Sequence, residues 1–174
     1  MSRAFVDEDA VSRRGEEVAP LKLPLPSGAR NYMTPAGAAR MSTALRKLQL
    51  ERRPALAVAA AAEPSPGPAH RALGECDNRI AYLSRMQALL EVVDPAAQQS
   101  DRVRFGATVT VRMPTDGERR MRIVGVDEVA PGSGNVSWIS PMARALMGAR
   151  VGDTVRCELP SGPAPIEVLS IEYQ

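Results

Sequence analysis

Few side chains in this sequence of 174 residues have types and spacings suited to chemistry. Its two cysteines, Cys76 and Cys157, form no CxxC pair, and His70 is the only histidine. A zinc centre needs about four nitrogen or sulfur ligands, so the set is too small for one. Two unpaired thiols suit a reducing cytoplasm. The acidic candidates are Glu63, alone in the stretch Ala60-Ala-Ala-Glu-Pro-Ser-Pro-Gly-Pro-Ala-His70, and Asp7, Glu8 and Asp9 near the N-terminus. Magnesium takes several hard oxygen ligands, and a solitary exposed carboxylate is ordinarily a solvated charge. No metal, no cofactor and no catalytic residue is therefore expected. Arg46, Lys47, Arg52 and Arg53 make a small basic face, but no aromatic side chains are interleaved to stack on bases. It reads as a solvated helix face.

The formal net charge is +2, and its distribution matters more than its sum. Residues 1–30 carry five positive and five negative side chains, 31–94 eight and six, and 101–174 nine and nine. Gripping nucleic acid directly requires clustered Lys and Arg, so contact with nucleic acid is expected only indirectly, through a protein partner. No window approaches about 18 consecutive apolar residues, and the acidic residues near the start replace the apolar run of a signal peptide. A cytoplasmic, membrane-free monomer is expected.

These residues are carried on two modules of different composition, with Ala, Leu and Arg frequent between Pro35 and Val93 and β-branched residues gathering after Val103. Residues 1–30, with Pro20, Pro24 and Pro26, have no apolar period and read as a disordered tail, although Leu21 to Pro26 could dock as an extended segment. Thr34 is a suitable helix N-cap and Pro35 a suitable first residue. Apolar or small residues then recur at Met41, Leu45, Leu48, Ala55, Ala59 and Ala62, with Arg52 as the polar member of the same seam. Pro54 lies inside this run and must kink or break it. The segment from Glu63 through Pro64, Ser65, Pro66 and Gly67 ends the helix in a turn. A second seam follows at Leu73, Cys76, Ile80, Leu83, Gln87 and Leu90, stopping near Asp94-Pro95. Two such helices joined by a short turn predict an antiparallel coiled-coil hairpin over 31–94, about 30 to 40 Å long. Residues 101–174 offer strand candidates at Val103 to Phe105, Ala107 to Met113, Arg119 to Val126, Asn135 to Ile139, Asp153 to Leu159 and Ile166 to Ile171. Thr115-Asp-Gly117 and Pro160-Ser-Gly162 signal turns, and Pro141 to Met147 one short helix. The class is α+β: a helical hairpin, then an antiparallel sheet carrying that helix.

Three words in the second module, Arg122-Ile-Val-Gly-Val-Asp-Glu128, Ser137-Trp-Ile-Ser-Pro-Met-Ala-Arg-Ala-Leu146 and Val151-Gly-Asp-Thr-Val155, resemble the C-terminal domain of the Gre family of bacterial transcript cleavage and elongation factors, the GreB branch most closely. The resemblance extends through Asn31-Tyr-Met-Thr-Pro35, Glu51-Arg-Arg-Pro54 and Val92-Val-Asp94, and covers roughly 31–174. It implies an FKBP-like C-terminal domain and one bent first helix, since family members also carry Pro at the position of Pro54. It implies docking on RNA polymerase at the rim of the secondary channel, through Ser140, Pro141, Met142, Ala143 and Arg144. It also implies a hairpin tip that, in cleavage-competent members, bears acidic residues in a segment resembling Asp-x-x-Glu-Asn and helps hold a second magnesium. Here the tip is shortened and Glu63 is its only acid, while Ile139 stands where members often have Asp. A factor that binds polymerase and modulates elongation without stimulating cleavage is therefore expected. Alternatives are a cleavage factor using Glu63 or the acidic tail, a competitor of other secondary-channel factors, and a prolyl isomerase. The last has only Phe105, Trp138 and Tyr173 as aromatics in the second module, and fold alone does not carry that function.

Overall fold

The computed structural model describes residues 18–114, 117–159 and 162–174 and is α+β. Asp7, Glu8, Asp9 and part of the two turn signals, at Thr115-Asp116 and Pro160-Ser161, lie outside the described residues. The segment ending at Leu23 forms one compact unit with Thr43–Arg85, and Pro24–Ser42 forms another with Met86–Gln174.

Helix α1, Pro35–Lys47, begins as its sequence requires. The Thr34 hydroxyl accepts from the Gly37 N–H at 3.1 Å, and the Thr34 carbonyl accepts from Ala38 at 2.9 Å. The helical run continues through a π segment, Leu48–Arg52, into α2, Arg53–Ala61. This wide turn corrects the heptad reading. Met41 and Leu45 are buried and Leu48 is half-buried, as expected, but Ala55, Ala59 and Ala62 are exposed. Ala60 is the buried residue, with Leu56 and Ala57 half-buried. The Arg53 N–H donates to the Leu48 carbonyl, five residues back, so the turn takes up one extra residue and advances the buried face by one. Pro54 has no N–H to give and falls at the start of α2, directly after that turn.

After the turn, α3 runs Pro68–Ala88. Cys76 and Leu83 are buried as the spacing predicts, but at its end Met86 is fully buried and Gln87 is exposed. Leu90 is not helical. It opens strand β2, Leu90–Val92, which pairs in parallel with β1, Asn31–Met33. Both ends of the segment expected to be a pure helical hairpin are thus strand. Asn31 fixes this ribbon by donating from Nδ2 to the Met86 carbonyl at 3.0 Å, while its backbone N–H bonds to Leu89 at 2.8 Å.

The remaining strands are β3 (Thr108–Met113), β4 (Gly117–Val124), β5 (Asn135–Ser137), β6 (Thr154–Leu159) and β7 (Gly162–Glu172). They form one sheet in the order β5-β4-β3-β7-β6. It is mixed and not purely antiparallel as expected, because β5 pairs in parallel with β4 after the loop 125–134 carries the chain back. Val103 to Phe105 forms no strand; a single bridge joins Arg102 to Arg150, and Gly106 turns the chain at φ 85°. Period-two alternation puts Val109, Val111 and Met113 of β3, Met121 and Ile123 of β4, and Ile166 and Val168 of β7 on one buried face. The short helix α4, Pro141–Leu146, closes that face with Ala143 and Leu146. On the opposite face Arg112 bridges Glu167 and Glu118, and Arg120 bridges Glu172.

Candidate functional site

Helix α4 starts at a Ser-Pro pair for a local reason. Ser140 is extended, its hydroxyl accepts from the Ala143 N–H at 3.1 Å, and Pro141 occupies the first turn. The cap fixes which side chains reach the surface. Pro141 and Arg144 are exposed and Met142 is half-buried, whereas Ala143 is fully buried in the core and offers no contact surface. Ile139 and Ser140 continue into an apolar groove of about 570 Å³ whose walls include Val126, Val129 and Val136, with Pro24 against them. Val129, 45% exposed, puts an apolar side chain on the groove's rim. The site is apolar where Ile139 stands, and chemically it can bury another apolar surface. Its polar lining side chains are Asn135, Ser137 and Ser140.

The loop that forms this groove is anchored by Glu128, which is 7% exposed. Its Oε2 accepts from the backbone N–H groups of Thr34 and Gly125 at 2.9 and 3.0 Å, and its Oε1 accepts from the Thr34 hydroxyl at 2.5 Å. The Arg40 guanidinium lies 3.5 Å away. A buried carboxylate is tolerated because these donors, at the positive start of α1, replace water. Gly37 makes room, since a Cβ there would stand 2.1 Å from Glu128 Oε1. Sequence reasoning missed this residue: nothing in Val126-Asp-Glu128 says which acid turns inward.

At the tip, Glu63 is engaged within its own loop. Its Oε1 accepts from the Ala69 N–H at 3.1 Å and its Oε2 pairs with His70 Nδ1 at 3.0 Å. The His70 hydrogen bond first, and the Ala69 N–H second, hold the Glu63 carboxyl below the ordinary value of 4.5. This carboxylate therefore serves the first turn of α3, and Gly67 leaves it space, because a Cβ there would meet Glu63 Oε2 at 2.9 Å. Pro64, Ser65 and Pro66 are exposed and bring no second acid. Among the described residues no three His, Cys, Asp or Glu side chains gather as metal ligands.

The other candidates are accounted for by packing. Arg53 bonds Asp77 at 2.7 Å, while Arg46, Lys47 and Arg52 are exposed. Phe105 and Trp138 pack on Tyr32, with ring centroids 5.9 and 5.4 Å away, and the Tyr173 hydroxyl donates to the Arg102 carbonyl and accepts from the Arg104 N–H. None of the three lines the groove beside Ser140. Cys76 and Cys157 are free and buried, and burial with the neighbouring Glu158 charge pushes the Cys157 thiol up. Among the described residues no helix is long and apolar enough to cross a membrane.

Comparison with known proteins finds relatives over most of the chain. A family model described as "Transcription elongation factor, GreA/GreB, C-term" matches residues 98–173. Transcription elongation factor GreB of Neisseria meningitidis serogroup B is 36% identical over 154 residues, covering 83% of this chain and 94% of that protein. Transcription elongation factor GreB of Xanthomonas axonopodis pv. citri is 39% identical over 151 residues, covering 81% and 90%. Among solved structures, GreA factor homolog 1 (Gfh1) of Thermus thermophilus aligns with 82% of this chain and 99% of that chain at 20% identity and a TM-score of 0.36.

Proposed function

The chain belongs to the GreA/GreB family of transcription elongation factors and is GreB-like, and from that premise we propose that it binds RNA polymerase and modulates elongation without itself being an enzyme. The docking surface in this reading is the groove of Val126, Val129 and Ile139 together with Ser140, Pro141, Met142 and Arg144. It receives a projecting apolar element at the rim of the secondary channel. The helical run 35–61 and α3 act as an antiparallel coiled-coil hairpin that enters or borders the channel.

The observation that carries the non-catalytic half of the proposal is the state of Glu63. Both of its oxygens have protein partners, and no second acid accompanies it at the tip. A two-metal hydrolysis needs carboxylates that orient a metal and its water, and this tip provides none to spare. What the chain supplies is occupancy by the hairpin, with Glu63 bonded to the Ala69 N–H at the start of α3.

The docking half is tested with Val129→Asp, measuring retention of core RNA polymerase from the same cell. A charge forced into an apolar contact without a partner costs about 1.5 kcal/mol or more, so affinity should fall at least about tenfold while the fold is kept. Unchanged retention would place the docking surface elsewhere.

A further inference from the structure

Strand β6 ends the sheet, and its outer edge has no neighbouring strand among the described residues. Which of its backbone groups face that edge follows from the prolines of β7. Pro163 and Pro165 stand opposite Glu158 and Arg156 and have no N–H to give. The ladder therefore runs through Ile166 and Ala164, opposite Val155 and Cys157, in phase with the bond from the Val168 N–H to the Asp153 carbonyl at 2.9 Å. The alternate residues, Thr154, Arg156 and Glu158, must turn their N–H and C=O groups away from β7. Among the described residues the one hydrogen bond reaching these outward groups comes from the Cys157 thiol, 3.8 Å from the Glu158 carbonyl.

An open row of donors and acceptors invites another strand, and natural sheets guard such edges with charge. A guard of one sign would repel every copy of the chain. This one carries both signs. Cys157 is buried and Val155 half-buried on the core side, while Arg156 and Glu158 are exposed on the other face, and neither has an ion-pair partner among the described residues. Two copies related by a two-fold axis bring their β6 edges together antiparallel. With the axis at Cys157, Arg156 of each copy stands opposite Glu158 of the other, and each such pair exchanges its outward N–H and C=O groups. An axis at Arg156 or at Glu158 would set like charges face to face, which is unfavourable. An axis at Val155 would set Arg156 against Thr154 and Glu158 against Gly152, leaving both charges unmatched.

We propose that β6 is a self-association edge: two copies join β6 to β6 about Cys157 into one continuous sheet, with Arg156 and Glu158 selecting the register. The inference is independent of the docking reading, because it uses neither the groove nor the hairpin. It gives the free chain a concentration-dependent dimer where the sequence alone pointed to a monomer. Exposed ion pairs and a few edge hydrogen bonds each contribute little against the cost of association, so the dimer is weak and forms at high concentration. Added salt weakens it further by screening the exposed pairs.

Sedimentation equilibrium of the full chain, from about 10 μM to about 1 mM, reads this association. The unaltered chain is compared with Arg156→Glu, with Glu158→Arg and with an equimolar mixture of the two variants. The first variant makes both facing positions acidic and the second makes both basic, on an exposed face that the core does not use. The unaltered chain should approach the mass of two chains as concentration rises. Each variant alone should associate at least about tenfold more weakly, and the mixture, in which every facing pair is again of opposite sign, should recover the affinity to within about threefold. That recovery also shows that both variants are folded. A single-chain mass of the unaltered chain throughout the range overturns the proposal. So does a dimer that neither reversal weakens, because the contact then lies on another surface, and so does a mixture that stays as weak as its components, because the register is then not the one that pairs Arg156 with Glu158.

Discussion

At Gly37 an alanine would ordinarily favour α1, since glycine costs about 1 kcal/mol relative to alanine inside a helix. The sign reverses here because the added Cβ would stand 2.1 Å from Glu128 Oε1 and push the carboxylate off Thr34 and Gly125. Each buried donor left without a partner costs about 1–3 kcal/mol, so Gly37→Ala should lower stability by about 2–4 kcal/mol in urea denaturation. Glu63 makes a second residue-scale prediction. Its carboxyl is held below 4.5 in the folded chain, so its contribution is complete above the unfolded value and is lost as pH falls through the lower folded one. The protection of the Ala69 amide, its exchange rate relative to the intrinsic rate at the same pH, should therefore fall on acidification in that window, and Glu63→Ala should show the low protection already at neutral pH. Exchange at Ala69 that is slow in Glu63→Ala would mean that the carboxylate is not what holds the helix start. The caps at Thr34 and Ser140 were legible in the sequence because each acts within three residues. Glu128 was not legible, since its partner at Thr34 is 94 residues away and no local pattern records it.

At the scale of elements, the first helical run separates what a period can say from what it cannot. The seam through Met41 and Leu45 was readable, and so was a disturbance at Pro54. Its form was not. A kink would have kept Ala59 on the buried face, whereas the π segment moved that face to Ala60. Ala60→Glu should thus cost about 2 kcal/mol or more by burying a charge, and Ala59→Glu should change stability by less than about 0.5 kcal/mol. Thermal unfolding of the two variants decides it, and equal losses would restore the uninterrupted heptad. The short strands were lost for a related reason. Asn31–Met33 and Leu90–Val92 are three residues each, too brief for an alternation to register, and are strands because they pair with each other. The parallel pairing of β4 with β5 likewise follows from the path of the loop between them. The longer strands β3, β4, β6 and β7 and the helix α4 were readable because each spans enough residues to show its period or carries its own cap.

For the whole molecule, composition indicated two modules of different class, and the words around Arg122, Ser140 and Val151 carried the family. The candidate site was legible in part. Ser140, Pro141, Met142 and Arg144 stand at the surface, but Ala143 is core, and the groove wall of Val126 and Val129 comes from a loop whose shape depends on Glu128. Two features define the proposed role: docking on polymerase and a tip that lacks spare carboxylates. The most direct test of both is RNA 3′-end cleavage in backtracked elongation complexes, assayed at concentrations of this protein at which co-purification shows it bound. Bound protein is expected to leave cleavage no faster than in its absence, in the unaltered chain and in Glu63→Ala alike. Cleavage stimulated by the unaltered chain and lost in Glu63→Ala would contradict it, because the carboxylate at the tip would then be serving the polymerase active site and not the start of α3.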